Sequence, residues 1–107
     1  MEHSFDGRVA VITGAGGVLC SVMAKALAEA GARVALLGRT AEKVQRVADE
    51  ITAVGGTARA YVCDVCDRES VEDCHRRVLE QLGRCDLLIN GAGGNKPQAT
   101  TEHEYYE

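Results

Sequence analysis

The stretch from Arg8 to Ala32, RVAVITGAGGVLCSVMAKALAEAGA, constrains this chain more than any other. A short apolar run rich in β-branched residues, Val9-Ala10-Val11-Ile12, leads at once into Gly14, Gly16 and Gly17. Val18–Ala30 then takes helical spacing, with Val18, Leu19, Val22, Met23, Ala26, Leu27 and Ala30 on one stripe. A strand, a glycine-rich turn and a helix in that order form a unit suited to holding a phosphate. The first N–H groups of a helix have no partner within it and carry partial positive charge, so they favour an anion. Glycine in the turn lets the backbone approach a pyrophosphate that a side chain would hold off.

The same alternation continues downstream. Arg33–Leu37 reads as a second buried strand closed by Gly38-Arg39, and Gly31 is placed to end the helix before it. Thr40 is a candidate N-cap for a helix through Ala53, with Val44, Val47, Ala48, Ile51 and Val54 on one face. Thr57–Cys63 is a third strand with Asp64-Val65 at its carboxyl end, and Asp67 can cap a helix from Arg68 to Leu82. The apolar stripe of that helix is Val71, Cys74, Val78, Leu79 and Leu82. Asp86–Ile89 is a fourth strand running into Asn90-Gly91-Ala92-Gly93-Gly94. Strands alternating with helices require crossovers, hence a parallel sheet covered on both faces. The fold class is α/β, a doubly wound Rossmann-type sheet with strand order 3-2-1-4. Residues 1–94 form this half-fold, and 95–107 are a polar tail. A fourth strand left as an apolar edge invites unwanted pairing. The chain therefore reads as the N-terminal part of something larger.

Composition narrows the partners. The chain has 107 residues, of which 46% are hydrophobic and 4% aromatic, so its core is built from Val, Leu, Ile and Ala. Twelve Lys plus Arg against 16 Asp plus Glu give a net charge of −4, with no basic stripe, which argues against a nucleic-acid partner. No apolar run approaches a bilayer span and the opening MEHSFDG is no signal leader, so a cytoplasmic protein without a membrane partner is expected. Five cysteines at irregular spacing agree, being a poor disulfide framework.

Four signals, each at the carboxyl end of a strand, carry a family resemblance: Thr13-Gly14, Gly38-Arg39, Asp64-Val65 and Asn90-Gly91-Ala92-Gly93. Together they resemble the first part of a short-chain dehydrogenase/reductase over nearly the whole length. The family turn is Thr-Gly, three residues, Gly, an apolar residue, Gly; here Val18, Leu19 and Cys20 fill the later positions, so both downstream glycines are absent. Gly17 lies one place early and is the candidate for close approach to the phosphates. The strings Gly-Gly-Val-Leu-Cys and NGAGGNKPQATT are similar to the sugar-acid branch, the D-mannonate (fructuronate) oxidoreductase type.

The resemblance implies a nicotinamide dinucleotide bound through Gly14, Gly16, Gly17, Val18 and Leu19. An acid at the end of the second strand would select NAD through the ribose; none stands there, and the planar cation of Arg39 suits a 2′-phosphate. NADP is therefore expected in preference to NAD, although the turn Ala15-Gly16-Gly17 lacks a basic residue of its own. By resemblance Asp64 accepts from the adenine amino group, Val65 packs near the ring, and Asn90, Ala92 and Gly93 line the nucleotide site. Gly91 stands where the family has a second Asn. The plainer readings are a tight turn, a solvated arginine, a loop-capping aspartate and a strand terminator.

Cys63-Asp64-Val65-Cys66 followed by Cys74-His75 invites a metal reading, but Cys74 lies on an apolar stripe and zinc would want a second ligand pair on a loop. No metal ligands are assigned, and His3, His75 and His103 are taken as surface residues. Family chemistry uses a serine and a Tyr-x-x-x-Lys pair. None of Tyr61, Tyr105 and Tyr106 has Lys four residues on; the lysines are Lys25, Lys43 and Lys96. No catalytic residue is assigned within this chain, which is expected to be inactive alone. The complete protein is expected to move hydride between the nicotinamide and a small-molecule carbonyl or secondary alcohol, as a homo-oligomer. The alternatives are a free-standing nucleotide-binding module and an inactive truncated product.

Overall fold

The structure is a computed structural model that describes residues 5–91. The order is β1 (Val9–Thr13), α1 (Val18–Glu29), β2 (Arg33–Gly38), α2 (Ala41–Ala53), β3 (Thr57–Val62), α3 (Arg68–Gln81) and β4 (Leu87–Asn90). Every pairing is parallel, as the alternation of elements requires, and the sheet order is β3-β2-β1-β4. Thr13 lies opposite Leu37 on one side and Asn90 on the other, while Gly38 faces Val62. The carboxyl ends of all four strands thus reach one edge.

The pleat sends alternate residues to opposite faces, which gives two cores. Ala10, Ile12, Val34 and Leu36 pack against Cys20 and Ala24 of α1 and Val44, Val47, Ala48 and Ile51 of α2. Val9, Val11, Ala35 and Leu37 pack with Tyr61 and Cys63 against Cys74, Val78 and Leu82, which run along α3 and its end. The two central strands are buried almost throughout, as their continuous apolar runs imply. β3 is more exposed and β4 is half-buried along its length, so continuous burial holds for β1 and β2 alone.

The inward face of α1 differs from the expected stripe. Val18, Leu19 and Val22 are 84%, 72% and 58% exposed, whereas Cys20 and Ala24 are buried. Leu27 and Ala28 are partly buried against the same core. The first half of the helix turns Cys20 and Ala24 to the sheet and Val18, Leu19 and Val22 outward. Val54 and Leu79, also assigned inward from spacing, are 79% and 50% exposed; Val54 is already the C-cap of α2. Thr40 occupies the N-cap of α2 but makes no side-chain capping bond, whereas Asp67 caps α3 by accepting from the N–H of Glu69 at 3.0 Å.

Candidate functional site

The turn between β1 and α1 is held by its own backbone. Gly14 has φ +69°, a left-handed conformation that costs a residue with a side chain. Its carbonyl accepts from the N–H of Gly17 at 3.0 Å, and the N–H of Ala15 donates to Leu37 across the strand ends at 3.1 Å. Gly17 is the N-cap of α1, extended at φ −78° and ψ 162°. A Cβ there would meet only the Gly14 carbonyl at 3.5 Å, so the protein itself leaves that position open. Gly16 is crowded instead. A Cβ on it would stand 2.9 Å from Cβ of Lys43, whose stem crosses the turn from α2. The first turn of α1 follows with Val18 and Leu19 exposed beside the glycines.

The other strand ends close round this turn. Gly38 lies against α2, where a Cβ would meet Val44 Cγ1 at 2.5 Å, and its carbonyl accepts from the N–H of Cys63 at 2.8 Å. Arg39 is exposed next to it, with no ion pair among the described residues. Asp64 follows β3. One of its carboxylate oxygens accepts from the N–H of Cys66 at 3.0 Å, and its own N–H donates to Ser70 Oγ at 3.0 Å. The aspartate therefore shapes the loop, as the plainer reading anticipated. Its second oxygen has no hydrogen-bond partner among the described residues. Val65 is half-buried against the core that contains Tyr61, Cys63 and Cys74.

Thr13, not singled out for its side chain, ties β1 to the end of β4. Its hydroxyl donates to Asn90 Oδ1 at 2.7 Å and accepts from the N–H of Gly91 at 3.0 Å. Ala92, Gly93 and the 95–107 tail lie outside the described residues. The structure thus brings Gly14, Gly16, Gly17, Val18, Leu19, Arg39, Asp64 and Asn90 to one edge of the sheet. That edge includes the point where strand order reverses between β1 and β4, the place where open α/β sheets take ligands.

The buried thiols beneath the Asp64 loop are structural in character. Cys74 donates to the Val62 carbonyl at 3.3 Å, and burial with the neighbouring Cys63 thiol pushes it up to about 12. Burial also raises Tyr61, whose hydroxyl donates to Gln81 Oε1 at 2.6 Å under the Arg77 guanidinium. Among the described residues no three His, Cys, Asp or Glu side chains converge as metal ligands would.

Known proteins share this arrangement. The short chain dehydrogenase family profile matches residues 8–107. The uncharacterized oxidoreductase UxuB of Bacillus subtilis is 56% identical over 107 residues, which are all of this chain and 38% of that protein. A crystal structure from Haemophilus influenza, described as a candidate D-mannonate oxidoreductase with bound NAD, superposes with a TM-score of 0.84 at 45% identity. It covers 98% of this chain, which in turn spans 38% of it. A metagenomic short-chain oxidoreductase in complex with NADP gives 0.80 at 41% identity, over 84% of this chain and 41% of that one. The chain thus spans about two fifths of the length of these relatives. On sequence, strand order and the geometry of its turn, it belongs to the short chain dehydrogenase family.

Proposed function

We propose that residues 1–94 are the cofactor-placing half of an NAD(P)-dependent oxidoreductase that moves hydride between a nicotinamide and a carbonyl or secondary alcohol. The observation that carries this reading is the β1–α1 turn: an open Gly17, a left-handed Gly14 and the N-terminus of α1 on the edge where strand order reverses. The hydride chemistry belongs to the cofactor; this part of the protein binds and orients it. Backbone N–H groups at Val18 and Leu19 would face the pyrophosphate, with Gly17 leaving room for its close approach. Asp64 would use its second oxygen for the adenine amino group, and Asn90, Ala92 and Gly93 would line the nucleotide site. No proton-transfer residue is assigned within the chain.

The exposed guanidinium of Arg39, with no acid at the end of β2, supports NADP over NAD. A sugar acid is the proposed substrate class, on the likeness to the Haemophilus protein. The complete enzyme is proposed to be a cytoplasmic homo-oligomer; among the described residues no helix is long and apolar enough to cross a membrane. The test is titration of the complete protein and its Arg39→Asp variant with both dinucleotides. The variant should lose NADP affinity far more than NAD affinity, and equal loss of both would remove Arg39 from cofactor choice.

A further inference from the structure

The chain departs from its family's pattern at Cys20, where the turn has a glycine, and at Gly91, where an asparagine stands. In the folded chain these two positions meet. A Cβ placed on Gly91 would stand 2.2 Å from Cys20 Sγ, far inside contact distance, and 3.9 Å from Cys20 Cβ. It would also lie 3.1 Å from the Thr13 carbonyl. Gly91 has no room to retreat. Its N–H is held by the Thr13 carbonyl at 3.2 Å and by Thr13 Oγ1 at 3.0 Å. Cys20 is equally fixed, sitting 9% exposed on the sheet side of α1.

From this we infer that Cys20 and Gly91 are a matched pair: the thiol fills the space of the missing residue-91 side chain and sets the spacing between the phosphate turn and Gly91 at the end of β4. The two departures are then one exchange of volume across the crevice. A side chain at 91 is tolerable only where position 20 gives up its sulfur, and the sulfur at 20 is tolerable only where 91 is glycine. Both residues act through backbone position. Cys20 holds the first turn of α1 at its distance from Gly91, and Gly91 anchors the strand end through Thr13. The consequence for ligand binding rests on the dinucleotide reading above; the steric pairing does not.

The experiment is a double-mutant cycle, Gly91→Ala, Cys20→Ala and both, in the complete protein, reading thermal midpoint and affinity for NADH and NADPH by fluorescence. Gly91→Ala should lower the midpoint and weaken both dinucleotides by roughly tenfold, the effect of an overpacked contact. Cys20→Ala alone should lower the midpoint through the space it leaves and weaken both dinucleotides by less than Gly91→Ala does. The double variant should recover most of the loss, because the 2.2 Å contact is gone and only the 3.1 Å approach to Thr13 remains. Equal effects of Gly91→Ala on the midpoint with and without the sulfur overturn the pairing. If Gly91→Ala does not fold, recovery of folded protein in the double variant supports the pair and failure to recover it overturns the pair. A wild-type protein that binds neither dinucleotide would refute the functional reading, while the midpoints would still decide the pairing.

Discussion

Replacing Thr13 by valine probes the link between β1 and the end of β4. Thr13 is 7% exposed, so the change exchanges a buried hydroxyl for a methyl of similar shape. The Gly91 N–H keeps the Thr13 carbonyl as acceptor at 3.2 Å and loses little. Asn90 Oδ1 loses its 2.7 Å donor. Removing one partner of a half-buried pair costs about 1–3 kcal/mol, and burying the extra methyl returns up to about 0.8 kcal/mol. The expected net loss is about 0.2–3 kcal/mol, read as ΔG of urea unfolding with an unchanged m-value. Asn90 has further interactions, so its own truncation mixes several effects. The cycle of Thr13→Val with Asn90→Ala separates the shared bond, which should appear as a coupling of about 1 kcal/mol. A coupling near zero between Thr13→Val and Asn90→Ala would refute the claim that this bond holds the strand ends together.

Gly17→Val should abolish dinucleotide binding while leaving the circular-dichroism spectrum unchanged, since Gly17 is extended and its nearest Cβ neighbour is 3.5 Å away; retained affinity would move the close approach to another glycine. Ile51→Ala should cost about 2–5 kcal/mol of unfolding free energy, because Ile51 is 1% exposed beneath α2. Burial holds the folded Cys74 thiol up at about 12, against its ordinary value of 9.0 in the unfolded chain. Its contribution is therefore complete below pH 9 and falls as pH rises toward 12. Cys74→Ala should flatten that alkaline decline, and an unchanged profile would remove the thiol as its cause. Brief alkylation followed by mass spectrometry should label exposed Cys66 first. Cys85 should follow more slowly because burial raises its pKa, and the buried Cys20, Cys63 and Cys74 should label only on unfolding.

The sheet was legible in the sequence because each boundary carries local chemistry: glycines after β1, α1, β2 and α2, the Asp67 cap and unbroken apolar runs at β1 and β2. Parallel order then follows from alternation alone. The packing face of α1 was not legible. Periodicity weighs large apolar residues, and this helix turns Cys20 and Ala24 inward so that it can sit close to the strands. Val18, Leu19 and Val22 satisfy the period yet face outward, and no local rule separates the two faces. The candidate site residues were readable as positions at strand ends. Their cross-strand partners were not: the Thr13–Asn90 bond spans 77 residues of sequence, and the Cys20–Gly91 approach depends on a register known only once β1 and β4 pair. Lys43 over Gly16 is similar, a contact made by how α2 returns across the turn.

The most direct test of the central claim is amide hydrogen exchange of the complete protein with and without saturating NADPH. The account predicts that protection gained on binding within this part of the chain concentrates at the strand ends, over residues 14–19, 38–39, 64–65 and 90–91. Protection confined to the outer face of α2, or none within residues 5–91, would contradict it.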